Sequence, residues 1–197
     1  MKIKLFFFVL AVMLAAAAFS QQYKRFDSTV KIGKAGYRVV CGNKSADKNY
    51  ASLKLIGFDN SEGGGGDINL TIAGRITKIE TDDFNNDGFP DLVIYFFGGA
   101  NGAMGNVLAV SSVENKSLKA IVFPDIRDDP KLYDGYKGHD DFYLLNGTLF
   151  RNFPIYKKED TPDNPTGGKR VIQYNVVPGD GNYLKFKVLR TFEEKKN

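Results

Sequence analysis

The stretch D91-LVIYFF-GGANGAMG-NVLAV-110 decides how this chain is read. Residues 92–97 are six consecutive apolar side chains rich in β-branched and aromatic types, and a second apolar run begins at Val107. Between them lie Gly98, Gly99, Ala100, Asn101, Gly102, Ala103, Met104 and Gly105. Short apolar runs bounded by glycine read as strands. The segment between them is too long for a tight two-residue hairpin turn and suits a surface loop. In such a loop Asn101 offers an amide donor and acceptor, and Met104 a deformable apolar contact. That is chemistry for binding rather than for breaking bonds.

Working outward, the same signal recurs. Strands are expected at GYRVVC, SLKLIGF, INLTIAGRITKIET, LKAIVF, DFYLLNGTLFRNFPIY, KRVIQYNVV and NYLKFKVLRTF. In the last of these Leu184, Phe186 and Val188 alternate with Lys185, Lys187 and Leu189, the pattern of a strand with one wet face. Asn146–Gly147 is a hairpin-turn dipeptide. FDNSEGGGGD, residues 128–141 and KKEDTPDNPTGG read as loops, and helical pattern is confined to short pieces such as DDPKLYDGY. Sixteen Phe and ten Tyr supply much of the apolar surface. The expectation is a single all-β domain, an antiparallel β-sandwich.

The first twenty residues carry Lys2 and Lys4, then an apolar run over residues 5–17, then small residues Ala18 and Ser20. This is the pattern of a cleaved signal peptide, which leaves residues 21–197 as the domain and implies a periplasmic or secreted location. No later segment is apolar and long enough to span a bilayer. Cys41 is the single cysteine, so neither an internal disulfide nor a thiolate zinc cluster can form, and its apolar neighbours suggest a buried thiol. Without Lys2 and Lys4 there are 25 basic and 23 acidic residues, scattered along the chain. Nucleic-acid binding needs a concentrated basic face, so it is not expected.

Before the apolar strand stands D83-FNNDGFP-D91. Asp83, Asn85 and Asp87 occupy alternate positions, Gly88 allows a sharp turn, the Phe89 carbonyl is a further oxygen, and Asp91 takes the ninth position. Calcium favours such an oxygen-rich loop. The twelfth position, where a helix–loop–helix calcium site carries a Glu, is Ile94 inside a strand. The loop is therefore either a strand-flanked calcium site or a turn built on side-chain-to-backbone hydrogen bonds. A calcium-binding structural or adhesion-type module is one function class this leaves open. No other cofactor is indicated.

Signals for catalysis are thin. His139 is the only histidine and lies beside Asp140 and Asp141 with no nucleophile motif near it. The serines form no nucleophile elbow. GGGGD leads into a strand and lacks the Gly-Lys-Ser/Thr of a phosphate loop. A cell-envelope hydrolase using His139 remains as a second alternative, but the expected class is non-enzymatic, with no catalytic residues assigned.

From about residue 68 to residue 189 the chain resembles the periplasmic inhibitors of invertebrate-type lysozyme. The resemblance is carried by DFNNDGFPDLVIY, the glycine-rich loop, GYKGHDDF, LFRNFPIY and PTGGKRVIQYNV, in that order and spacing. It implies an exported β-sandwich without catalysis whose partner is a lysozyme, blocked by a loop inserted into its active-site cleft. That family's loop carries Ser-Gly-x-Tyr. The matching positions here are Asn101, Gly102, Ala103 and Met104, so only Gly102 is kept. An amide replaces the hydroxyl and a thioether the phenol, and Met104 cannot donate a hydrogen bond to a catalytic carboxylate.

Overall fold

The computed structural model describes residues 24–59, 67–99 and 102–195. The expected signal peptide, Ala100 and Asn101 lie outside them. Two sheets make up the fold. β1 (Phe26–Ile32), β2 (Ala35–Cys41), β3 (Asn49–Ile56) and β4 (Ile68–Ile72) form a meander in chain order. β5 (Arg75–Asp82), β6 (Asp91–Gly98), β7 (Met104–Val113), β8 (Ser117–Val122), β9 (Asp141–Leu145), β10 (Thr148–Pro154), β11 (Lys169–Pro178) and β12 (Leu184–Glu194) form the second sheet. Its order is β5-β6-β7-β8-β12-β11-β10-β9. Among the described residues, a 3₁₀ turn at Ile126–Asp128 and one helical turn, α1 (Pro130–Tyr133), interrupt the β structure. Asp129 caps α1 by accepting from the Lys131 and Leu132 N–H groups, and Pro130 fills the first position. No helix among the described residues is long and apolar enough to cross a membrane.

β6 explains why the molecule has three layers. Its side chains are buried on both faces. Leu92, Ile94 and Phe96 enter a core shared with Tyr37, Val39, Leu53 and Ile72 of the small sheet. Val93 and Tyr95 enter a second core with Leu149, Phe153, Ile172, Tyr174 and Phe186, all from the large sheet itself. The large sheet therefore curls until its two halves face each other, close to a closed barrel. A strand buried on both sides must be continuously apolar, which is why 92–97 does not alternate. Each of its fully buried aliphatic side chains contributes roughly 1.5–3 kcal/mol.

The all-β, single-domain expectation holds, with three differences in detail. The sheets are not uniformly antiparallel, because β12 runs parallel to β8 at Leu184–Ile121 and Lys185–Val122. INLTIAGRITKIET is not one strand. It breaks at Ala73–Gly74, and β4 and β5 join different sheets. β1 is an additional strand, hairpinned onto β2, with Phe26, Ser28 and Val30 half-buried and Asp27, Thr29 and Lys31 exposed. In β12, Phe186 is buried with Leu184 and Val188 against the same core, while Lys187 is exposed, matching the alternation. Asn146 and Gly147 both take positive φ, at 49° and 70°, in the β9–β10 turn, as a tight primed hairpin requires. Cys41 is buried between the sheets as a free thiol.

Candidate functional site at the glycine-rich loop

β6 carries a loop at each end. At its N-terminal end the acidic loop is closed by its own side chains. Asp83 accepts from the Asp87 N–H at 3.0 Å and the Gly88 N–H at 2.9 Å. Asp87 accepts from the Phe89 N–H at 2.9 Å and the Asn85 amide at 2.8 Å. Asp91 is directed inward, fully buried, accepting from the Phe84 and Ser112 N–H groups at 3.0 and 2.9 Å. Burial pushes its carboxyl up to about 6, against the lowering effect of those bonds. The Tyr37 hydroxyl donates to the Pro90 carbonyl at 2.5 Å and ties the loop to the small sheet. Every carboxylate oxygen of Asp83, Asp87 and Asp91 thus accepts a hydrogen bond from the protein. The structure brings Asp83, Asn85 and Asp87 together and buries Asp91 against the Phe84 and Ser112 backbone. Phe89 takes part through its N–H. Among the described residues no three His, Cys, Asp or Glu side chains converge as a metal-holding group.

At the other end, Gly98 pairs with Met104 across the β6–β7 hairpin, so the loop proper is residues 99–103. The Gly102 N–H donates to the Gly99 carbonyl at 3.0 Å. The stem is held from outside. Arg151 Nε donates to Asp140 Oδ1 at 2.6 Å, with the two side chains 3% and 0% exposed. Asp140 Oδ2 also accepts from the Gly105 N–H at 2.7 Å and the Tyr136 hydroxyl at 2.6 Å. Arg151 Nη2 donates to the Tyr136 hydroxyl oxygen at 2.9 Å and the Gly105 carbonyl at 3.3 Å. Both backbone groups of Gly105 are therefore gripped by one ion pair. Only glycine fits there, since a Cβ would sit 2.6 Å from the Asp140 Cβ and 2.7 Å from Phe142.

This charge pair is tolerated in the interior because every polar atom of it named above is bonded and the guanidinium also sits among rings. Its carbon lies 5.1 Å from the Tyr136 ring centre and 5.6 Å from that of Phe142, within cation–π range. Burial opposes the charge on Arg151, and Asp140 more than offsets that opposition. Burial and the nearby Asp140 charge push the Tyr136 hydroxyl up, so it remains a donor. A second clamp comes from the next residues back. The His139 N–H donates to the Ala103 carbonyl at 2.7 Å, and a Cβ on Gly138 would meet that carbonyl at 2.6 Å.

Two clefts flank Met104, which is 46% exposed. One, of about 300 Å³, lies between Met104 and the tyrosines Tyr133 and Tyr136, with Arg151 at its floor. The other, of about 240 Å³, is lined by Gly98, Gly99, Lys137, His139 and Tyr156. His139 is exposed in a left-handed backbone conformation, φ 62°, with its ring 6.3 Å from that of Tyr156. Its neighbour Asp140 is occupied by Arg151, Tyr136 and Gly105 and does not pair with it. Asp141 is exposed on the edge strand β9.

Tyr136, Asp140 and Arg151 are the site residues that sequence reasoning does not assign. A signal exists for one of them: alternation along LFRNFPIY puts Arg151 on the inward side with Leu149 and Phe153, and an inward arginine requires an acidic partner. No protein-family model matches the chain, and no curated protein matches it in sequence.

Proposed function

We propose that the protein is an exported, non-catalytic binding domain whose residues 98–105 contact a partner protein, and that the partner class is a lysozyme whose cleft the loop enters. On this reading the scaffold is a β-sandwich whose larger sheet has curled, and residues 1–20 are its removed signal. The observation that carries the proposal is the immobilised loop stem, with the Gly105 backbone gripped on both sides by Asp140 and Arg151. A stem fixed before binding loses no conformational freedom on complex formation, so more of each contact becomes affinity. Exposed Met104 supplies a deformable apolar anchor at the base of the loop.

Lysis assays with vertebrate-type, goose-type and invertebrate-type lysozymes test this directly. Inhibition of at least one class is expected at micromolar protein, weakened about tenfold in Met104→Ala, or roughly 1.4 kcal/mol. A folded sample that inhibits none of the three overturns the proposal.

A further inference from the structure

We infer that the cleft between Met104 and the Tyr133–Tyr136 wall is a binding site for an uncharged sugar ring. The inference does not depend on the lysozyme reading. Its volume, about 300 Å³, is at the lower end of the range for small-molecule sites and suits a ring-sized ligand. Tyr133 remains 45% exposed beside Tyr136, with ring centres 6.1 Å apart and planes at 48°. An open aromatic face of this kind takes the C–H face of a pyranose, apolar against apolar.

The rim decides the ligand's polarity. Asp125 holds Arg127 in a two-point pair, from Nε at 2.9 Å and Nη2 at 2.5 Å. A guanidinium has five N–H donors, so such a pair leaves others for a ligand. The Arg127 guanidinium holds the Asp125 carboxyl down at about 2, so the pair stays ionised in ordinary buffers. Asn106 adds an exposed amide at the same rim.

Net charge excludes the competing ligand classes. Each arginine at this cleft carries its own carboxylate, Arg127 with Asp125 and Arg151 with Asp140, so no uncompensated cation attracts an anion. A wholly apolar ligand would cover the rim donors and acceptors without pairing them, which costs free energy. What remains is a neutral molecule with an apolar face and a hydrogen-bonding edge. A sugar ring has both.

The test follows the Met104 methyl resonance in protein labelled with carbon-13 methyl methionine. The chain has three methionines, so Met104 is assigned by its loss in Met104→Leu. The probes are the β-1,4-linked trimer of N-acetylglucosamine, maltotriose and inorganic phosphate, each titrated into the tens of millimolar. A saturable shift with at least one saccharide and none with phosphate is expected. That shift disappears in Tyr133→Ala and survives in Tyr133→Phe. Arg127→Ala, at the exposed rim, weakens binding at least several-fold. No shift with either saccharide overturns the inference. So does a phosphate shift of equal size, or a saccharide shift unaffected by both Tyr133→Ala and Arg127→Ala.

Discussion

The two ends of β6 solve the same problem in opposite ways. Each must turn the chain out of a strand that is buried on both faces. The acidic loop at residues 83–91 closes on itself: its carboxylates accept from N–H groups a few residues away, and Asp91 roots it in the core. The glycine-rich loop carries no carboxylate for that task. Its stem is fixed by Tyr136, Asp140 and Arg151, which arrive more than thirty residues later in the chain. A self-closed loop is robust and local, whereas a loop held from elsewhere leaves its own residues free to be chosen for a partner. On the function proposed above, that difference fits residues 98–105 as the contact surface and residues 83–91 as scaffold.

The comparison is tested most severely at Arg151. Arg151→Met leaves the Asp140 carboxylate buried without its partner and is expected to cost about 3–5 kcal/mol. Chemical denaturation of both proteins measures the loss. Adding Asp140→Asn to that variant restores part of it, since the orphaned charge is gone. If the double variant is no more stable than Arg151→Met alone, the ion pair is not what holds the stem. Gly105→Ala comes next. Its methyl group must displace Asp140 or Phe142, and overpacking of this kind costs about 1–3 kcal/mol. The inhibition proposed above, measured with the surviving folded fraction, should weaken by more than the stability loss explains, because the stem moves.

The sequence disclosed how the first loop closes and not how the second is held, for a physical reason. In residues 83–91 donors and acceptors are neighbours along the chain, so spacing alone indicates the turn. The all-β class and the strand alternation are legible for the same cause: β6 and β12 advertise their burial in their own residues. The grip on Gly105 depends on how β7, β9 and β10 lie in space, and no local spacing encodes that. Arg151 betrays its inward position through alternation, but nothing nearby in sequence says that Asp140 meets it. The split of INLTIAGRITKIET between two sheets is similarly non-local. Gly74 marks a break, but which sheet each half joins is decided by β3 and β6.

Asp91 yields a smaller, pH-dependent effect. Burial raises its carboxyl to about 6 in the folded protein, above the roughly 3.9 of an unfolded Asp. The folded state therefore binds the proton more tightly. The stability this contributes is full below about pH 4, is lost as pH rises to about 6, and is flat above that. The amplitude is on the order of 3 kcal/mol. Denaturation curves across pH 4–7 should show this slope in the wild type and not in Asp91→Asn. At neutral pH Asp91→Asn is still destabilising by about 1–2 kcal/mol, because its amide points an N–H at either Phe84 or Ser112.

The smallest effect belongs to the exposed rim of the acidic loop. Asp83→Ala removes the acceptor for two backbone N–H groups that water can reach, so the cost is about 1 kcal/mol. The loop then separates turn from ion site. With each carboxylate oxygen of Asp83 and Asp87 already engaged, a bound calcium ion must compete with or share those hydrogen bonds. The expected result is a melting transition of the wild type that does not move at millimolar calcium. A ligand that binds only the folded state must raise that transition, so the absence of a rise places the loop on the scaffold side of the comparison. A rise that vanishes in Asp83→Ala would move it to the functional side. The β6 strand would then present working loops at both ends.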